Sequence, residues 1–167
     1  MFLHCPMTEA QILDWLRDVM DPEIPVLSLV DLGVITGVSI APDSGRVTVE
    51  MTPTFAGCPA MDYMRREVEA TLRRHGIEDF AVNLTFDVPW TSNRVSETGR
   101  QKLRDFRLSP PPHLDGPIQD LSILEFAECP NCGSTDTTLR TPFGPTLCRA
   151  LHYCNACRQG FEQFKPI

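Results

Sequence analysis

The stretch TPTFAGCP, residues 52–59, separates a segment with the alternation of a β-strand, residues 46–51, from a segment with the period of an amphipathic helix, residues 60–75. Cys58 therefore lies just before a predicted helix. Gly57 leaves the sulfur without a bulky neighbour and permits an unusual backbone angle. The pattern predicts a cysteine presented at the amino end of a helix, directly after a strand.

Cys58 is a candidate reactive thiol because of this position. Unpaired N–H groups and the dipole of a first helical turn stabilise a thiolate, so we expect a pKa below the ordinary thiol value. Pro59 is expected at the first helical position, where its missing N–H costs nothing. The alternative is a cysteine packed beneath a loop, since free cysteines are often fully buried. Spacing alone leaves both interpretations open.

The periodicity of residues 8–86 predicts an α+β fold. Thr8 and Gln11 form a capping-box pattern at the start of an amphipathic helix that ends before Pro22. Residues 34–40 and 46–51 form a predicted hairpin with a half-buried second strand, and apolar positions alternate in residues 80–86, which predicts a third strand. Together with the helix over residues 60–75, these elements predict a two-layer α/β domain: a small mixed sheet with helices on one face.

Three segments are expected along the chain. Residues 1–108 form the α/β domain, including a weaker helix over residues 92–106. Trp90 is expected to anchor this helix, and the alternative is that it lines a surface for a partner. Residues 109–124 are rich in proline and are expected to be a semi-rigid linker. Residues 125–167 form a small second domain whose composition is dominated by cysteine pairs.

Two Cys-x-x-Cys pairs make the second domain a predicted zinc ribbon. Cys129 and Cys132 form one pair and Cys154 and Cys157 the other, with 21 residues between them. Two thiolates at i and i+3 on a tight turn reach one metal, and two such turns complete a tetrahedron. We expect structural Zn²⁺ that supplies much of the folding energy. Iron in a rubredoxin-like site is the main rival, because the same ligands hold either metal.

Two further side chains near this site have no predicted role fixed by spacing. Cys148 is a core thiol, an alternative ligand or a reactive group, and the sequence does not rank these. His152 is a competing ligand two residues before Cys154, although four cysteines need no further donor.

Composition excludes several functional classes. The 167 residues carry a net charge of −7 and show no basic footprint for nucleic acid. No run of 18 apolar residues is present, so no membrane span is expected. Residues 1–6 lack the features of a signal peptide, Met7 is an alternative start, and Cys5 has no evident role. Seven cysteines in a chain without export signals favour metal over disulfides and predict a cytoplasmic protein.

Three short motifs carry a resemblance to a known family. They are Asp21-Pro22-Glu23, Asp31-Leu32-Gly33 and the Thr52-x-x-x-x-Gly57-Cys58-Pro59 stretch. From the residues alone, the first motif predicts a helix stop with solvated carboxylates. Over residues 8–90 the chain resembles the MIP18 (DUF59) family, whose members act in iron–sulfur protein maturation. The resemblance implies a functional Cys58, supported by Thr52, Gly57, Asp21 and Glu23, and we expect both carboxylates near the sulfur.

With its proline-rich segment and cysteine tail, the whole chain resembles PaaD-type proteins of phenylacetate degradation, a family described as a component of the ring 1,2-phenylacetyl-CoA epoxidase. The resemblance implies an accessory protein without catalytic activity of its own. The implied partners are the epoxidase components, above all the iron–sulfur reductase, and the iron–sulfur assembly machinery. A transient cluster at Cys58 needs further ligands, from a homodimer or a partner, because clusters normally take four.

Other classes of function are weighed against this one. A catalytic di-iron oxygenase component would need Glu-x-x-His pairs, and no Glu here has His three residues later. The chain also has no glycine-rich nucleotide loop of the kind a reductase carries. A non-catalytic zinc-ribbon adaptor and a rubredoxin-like electron carrier remain as alternatives.

Overall fold

The computed structural model describes residues 7–116 and 120–166. The expectations for residues 1–6, including Cys5, and for Pro117 to Gln119 of the proposed linker lie outside the described residues. The chain divides into two compact units, with the division after Pro89. No helix in the described ranges is both long and apolar enough to cross a membrane.

The first unit has the predicted order of helix, hairpin, helix and strand. Its elements are α1 (Glu9–Leu16), β1 (Ile35–Ile40), β2 (Val47–Met51), α2 (Met61–Arg74) and β3 (Phe80–Leu84). The sheet order is β1-β2-β3, antiparallel in the hairpin and parallel between β2 and β3. Because parallel neighbours need a crossover, α2 connects them and packs on the sheet. This is the mixed sheet and α+β class that the sequence predicts.

Apolar faces of the helices and strands build the core of this unit. The capping box of Thr8 and Gln11 is present at the start of α1. The buried side chains come from α1, the 20–34 loop, the hairpin and α2, and include Ile12, Leu16, Leu27, Leu29, Val34, Val47, Val49, Met51, Met64, Val68 and Leu72. Each such side chain contributes about 1.5–3 kcal/mol by leaving water. The 20–34 loop is therefore a packed part of the fold.

The third strand ends earlier than its alternation indicates. Strand pairing with β2 ends at Leu84. Beyond it, the Thr85 N–H donates a hydrogen bond to the carbonyl of Met51 at 2.9 Å. Leu84 is 40% exposed and Phe86 65% exposed. Two of the apolar side chains in the predicted strand are therefore exposed at this end of β3.

The second unit contains a four-stranded sheet of order β4-β7-β6-β5. Its elements are α3 (Glu97–Asp105), β4 (Leu108–Ser109), β5 (Thr137–Thr141), β6 (Arg149–Cys154) and β7 (Gly160–Phe164), with 3₁₀ turns at Ser92–Arg94 and Leu121–Glu125. Strands β5, β6 and β7 are antiparallel and match the three short strands of a ribbon. Strand β4 joins β7 in parallel.

The division at Pro89 differs from the expected boundary at residue 108. Trp90 is buried, but it packs on Phe164 of β7, with 5.8 Å between ring centroids. The buried guanidinium of Arg100 in α3 donates to the backbone carbonyls of Ser92 and Pro111. Ser109, expected in a linker, is fully buried in β4. These contacts place the 90–111 segment in the second unit.

Replacement of Phe164 by alanine should destabilise the second unit, because its ring is buried against Trp90. We expect Phe164→Ala to lower the free energy of unfolding by about 3–5 kcal/mol. Urea titration of the zinc-loaded protein, followed by Trp90 fluorescence in a Trp15→Phe background, measures the change. Phe143→Ala, at a ring that is 70% exposed, is the control and should change stability by less than about 0.5 kcal/mol. Equal effects of the two substitutions would contradict this packing.

Candidate thiol site and metal centre

A tight turn brings Cys58 to the start of α2. The N–H of Cys58 donates to the carbonyl of Phe55 at 3.4 Å, and Gly57 at the third position of this turn has φ of +83°. Type II turns require positive φ at that position, which glycine adopts without strain. The helix begins at Met61 with Ala60 as its N-cap. The expectation that Pro59 is the first helical residue was wrong, because a further turn, Met61 N–H to Cys58 carbonyl at 3.3 Å, precedes the helix.

Thr52 positions the other end of the same loop. It is buried, and its N–H donates to the carbonyl of Val34 at 2.9 Å, directly after the end of β2. The loop that carries Cys58 therefore leaves the sheet at the carboxyl end of β2 and is tied to the segment that precedes β1. In sheets with parallel strands this edge is where ligands bind.

The environment of Cys58 raises the pKa of its thiol, contrary to the expectation of a lowered value. Partial burial is the largest cause, and the charges of Glu23 and Asp21 add to it. The backbone N–H groups of Ala60 and Met61 lower the pKa, as expected for donors at a helix start, but they do not outweigh the burial. The free thiol is therefore held neutral near pH 7.

Asp21 and Glu23 lie close enough to the sulfur to act on it through their charges. Asp21 is buried, and its Oδ1 accepts the N–H groups of Glu23 and Ile24, both at 2.8 Å. The expectation of a solvated carboxylate was thus wrong for Asp21, whose side chain closes the turn after α1. Glu23 is exposed, as expected, and the closed turn fixes its backbone.

The Asp31-Leu32-Gly33 motif stabilises the loop that carries Asp21 and Glu23. Asp31 is buried and its carboxylate accepts from the guanidinium of Arg17 at 3.2 Å, which ties the motif to the chain just after α1. The N–H of Asp31 donates to Oγ of Ser28 at 3.0 Å, and Gly33 has φ of +75°. This motif is a buried turn that holds the 20–34 loop.

Cys58, Asp21 and Glu23 do not form a preassembled metal site. Within the described ranges, three or more metal-ligating side chains converge to within 4.8 Å of one another only at Cys129, Cys132, Cys154 and Cys157. Cys58 is also the single cysteine described in the first unit. A metal or cluster at Cys58 must therefore draw ligands from outside the described part of this unit.

The four cysteines of the second unit have the geometry of a closed tetrahedral site. The Sγ atoms of Cys129 and Cys157 are 3.7 Å apart, and those of Cys132 and Cys154 are 3.6 Å apart. A tetrahedron with Zn–S bonds of about 2.3 Å has edges of about 3.8 Å. The set therefore fits one Zn²⁺ with all four positions filled by protein, as in structural sites.

The two Cys-x-x-Cys turns, called knuckles below, have the same pattern of backbone hydrogen bonds. In the first, the N–H of Gly133 donates to the carbonyl of Cys129; in the second, that of Arg158 donates to the carbonyl of Cys154, both at 2.9 Å. Gly133 and Arg158 share the left-handed backbone region, with φ of +73° and +60°. The N–H of Cys157 lies 3.5 Å from the Cys154 sulfur and is the main cause that lowers the pKa of that thiol to about 7.

Cys148 and His152 stand outside this ligand set. Cys148 is buried, with its sulfur 3.0 Å from Oγ1 of Thr146. His152 is buried on β6 and stacks on Phe161, and burial lowers the pKa of its imidazole. Neither is among the four converging ligands, which favours a packing role for both.

Sequence reasoning missed a set of buried polar side chains in the second unit. Arg100, Ser109 and Gln163 are all buried. Gln163 donates its Nε2 to the carbonyl of Phe126 at 2.8 Å, so it ties β7 to the segment before the first knuckle. A polar residue in a short amphipathic strand carries no pattern that distinguishes such a buried tie from a solvated side chain.

Comparisons with known proteins match both units. Residues 9–84 match the family model of the iron–sulfur cluster assembly protein, and residues 121–165 match that of the PaaD zinc beta ribbon domain. The chain is 34% identical to a putative 1,2-phenylacetyl-CoA epoxidase component of Escherichia coli, over 91% of this chain and 89% of that protein.

Two further relatives cover the first unit. An Fe-S protein maturation auxiliary factor of Porphyromonas gingivalis is 39% identical, over 58% of this chain and 90% of the relative. The crystal structure of a domain of unknown function, DUF59, from Bacillus anthracis is similar with a TM-score of 0.53 and 26% identity, over 57% of this chain and 90% of that chain.

Neutralising Glu23 should lower the pKa of Cys58 and speed its alkylation. Glu23→Gln removes a charge that raises this pKa, so more thiolate is present at pH 8. Iodoacetamide labelling of Cys58, followed by peptide mass spectrometry, gives the rate. Glu78→Gln, at an exposed acid that is not among the causes of the shift, is the matched control and should react like wild type. An unchanged rate in Glu23→Gln would show that this carboxylate does not act on the sulfur.

Zinc content should depend on the four converging cysteines and not on Cys148. Cys129→Ser removes a ligand, so zinc should be lost and the second unit should lose its near-ultraviolet circular dichroism. Elemental analysis of the purified chains measures the metal. Cys148→Ser should retain zinc at the wild-type level, and loss of zinc from this variant would make Cys148 a ligand.

Proposed function

Because the chain belongs to the MIP18 (DUF59) family of iron–sulfur cluster assembly proteins, in the form that carries a PaaD-type zinc ribbon, we propose that it matures the iron–sulfur reductase of a phenylacetyl-CoA epoxidase. In this proposal Cys58 handles the cluster or its iron, the iron–sulfur assembly machinery supplies that cargo, and the chain itself oxidises no substrate. The activity belongs to the cytoplasm, where thiols stay reduced. The relatives named for iron–sulfur maturation and for the epoxidase support this pairing of activity and client.

The observation that carries the proposal is a single thiol with two nearby carboxylate charges at the carboxyl edge of a parallel strand pair. A resident cofactor would need a complete ligand set, which the described residues around Cys58 do not provide. A carrier needs the opposite, a site that binds its cargo incompletely and releases it. One thiolate meets this requirement, because clusters normally take four protein ligands.

The raised pKa of Cys58 suits a thiol that becomes a thiolate only when it coordinates iron. Thiolates are the form that oxidises and reacts, so a neutral Cys58 is protected between cycles. An iron centre deprotonates a coordinating thiol, and the negative charges of Asp21 and Glu23 favour the approach of a cation. The exchange is a ligand substitution: a bond between iron and a ligand of the donor breaks, a sulfur–iron bond forms at Cys58, the thiol proton leaves to water, and no electron is transferred.

The ribbon takes a structural role in this proposal. Its four thiolates close the coordination sphere, which leaves no open position for cargo. Its match to a zinc ribbon model favours zinc over the rubredoxin-like alternative.

Cluster content of the reductase tests the proposal. The epoxidase reductase is purified anaerobically from cells that lack this chain and carry wild type, Cys58→Ser or Cys148→Ser on a plasmid. We expect iron and acid-labile sulfide in the reductase to fall to the level of the deletion with Cys58→Ser and to match wild type with Cys148→Ser. Full cluster content with Cys58→Ser would refute the role of this thiol.

A further inference from the structure

An exposed apolar surface lies at the edge of the sheet from which the Cys58 loop departs. It consists of Leu84, Phe86 and Val88, which are 40%, 65% and 42% exposed, and is called the β3 surface below. Soluble proteins leave large apolar side chains together at the surface mainly where another molecule binds. The surface follows β3, the last strand of the first unit's sheet, which pairs with β2 alone among the described strands.

The parallel pairing of β2 and β3 fixes where this surface lies relative to the thiol loop. Met51 at the end of β2 is paired with Leu84 at the end of β3, and the Thr85 N–H donates to the Met51 carbonyl at 2.9 Å. Residues 52–58 continue from the first strand end and residues 85–88 from the second. The Cys58 loop and the β3 surface therefore leave the sheet at the same edge, from neighbouring strands.

From this juxtaposition we infer that the β3 surface is the docking surface for the apo client protein whose free thiolates complete the ligand set at Cys58. This inference rests on the proposed function and names the partner at the same site. The described residues around Cys58 do not complete a ligand set, so in this inference a client approaches Cys58 closely enough for its thiolates and the Cys58 sulfur to bind one cluster. An apolar surface at the same edge holds the client during that exchange.

The charge of the first unit specifies the chemistry of the partner. Residues 1–89 contain 14 Asp and Glu against six Arg and no Lys, a formal charge of −8. A second copy of this chain would bring the same net negative charge to the contact and would be repelled. The complementary partner has an apolar patch surrounded by basic residues, and its binding weakens as salt rises.

Two exposed phenylalanines allow a matched test on the full-length, zinc-loaded chain. Phe86→Ser alters the β3 surface, and Phe143→Ser alters a ring of similar exposure in the second unit, 65% against 70%. The probe is the purified epoxidase reductase stripped of its cluster under anaerobic conditions, and affinity is measured by biolayer interferometry. We expect Phe86→Ser to weaken binding at least about tenfold and Phe143→Ser to leave it unchanged. Melting curves should coincide with wild type, because neither ring is part of the core.

Cys58→Ser separates docking from cluster handling. This variant should bind the apo reductase with wild-type affinity while failing to mature it, so its loss of maturation tests the proposed function and its binding tests the docking surface. Three results would each overturn the docking surface. They are wild-type affinity of Phe86→Ser, equal weakening of binding by Phe86→Ser and Phe143→Ser, and no binding of the apo reductase by the wild-type chain. Light scattering that shows a wild-type dimer and a Phe86→Ser monomer would assign the surface to a second copy and would also overturn the inference.

Discussion

Parallel pairing of β2 with β3 is the constraint on which the first unit depends. Two parallel strands cannot be joined by a tight turn, so the chain must leave β2, cross over in α2 and return. The departure loop then lies at the carboxyl edge of the sheet, and it carries Cys58. The α1 helix and the 20–34 loop pack against this sheet, and Thr52 ties the departure loop to Val34 at the end of the 20–34 loop. The Cys58 thiol is therefore held in place by the fold and remains partly exposed to solvent.

The Cys58 site and the four-cysteine site differ in how completely the described residues can coordinate a metal. At the ribbon, four sulfurs at about tetrahedral spacing satisfy one metal completely, and the Cys157 N–H lowers the pKa of the Cys154 thiol. At Cys58, burial and two carboxylate charges oppose the thiolate, and the described residues around it do not converge into a metal site. A complete site stores its metal permanently, whereas an incomplete one with a neutral thiol binds only what a partner helps to hold. In the proposed function, their separation into different units allows a structural metal and a transient cargo in one chain.

Local patterns in the sequence predicted the local features well. The capping box at Thr8, the hairpin, the crossover helix and the Cys-x-x-Cys knuckles all depend on residues within a few positions of one another, and each is present. The sign of the Cys58 pKa shift could not be predicted in this way, because it depends on burial and on Glu23 and Asp21, some 35 residues earlier. The place of β4 in the ribbon sheet was also missed, since two residues have no measurable period. The exposure of Leu84 and Phe86 was also not predicted, because alternation does not show whether other parts of the chain cover a strand face.

The most direct test of the incomplete-site account is iron and acid-labile sulfide in the anaerobically purified chain, compared between wild type and Cys58→Ser. The account predicts equal zinc in both, at the level of one four-cysteine site, with iron and sulfide in wild type only and at less than one cluster per chain. Iron retained equally by Cys58→Ser would place it at the ribbon cysteines and contradict the assignment of cargo to Cys58.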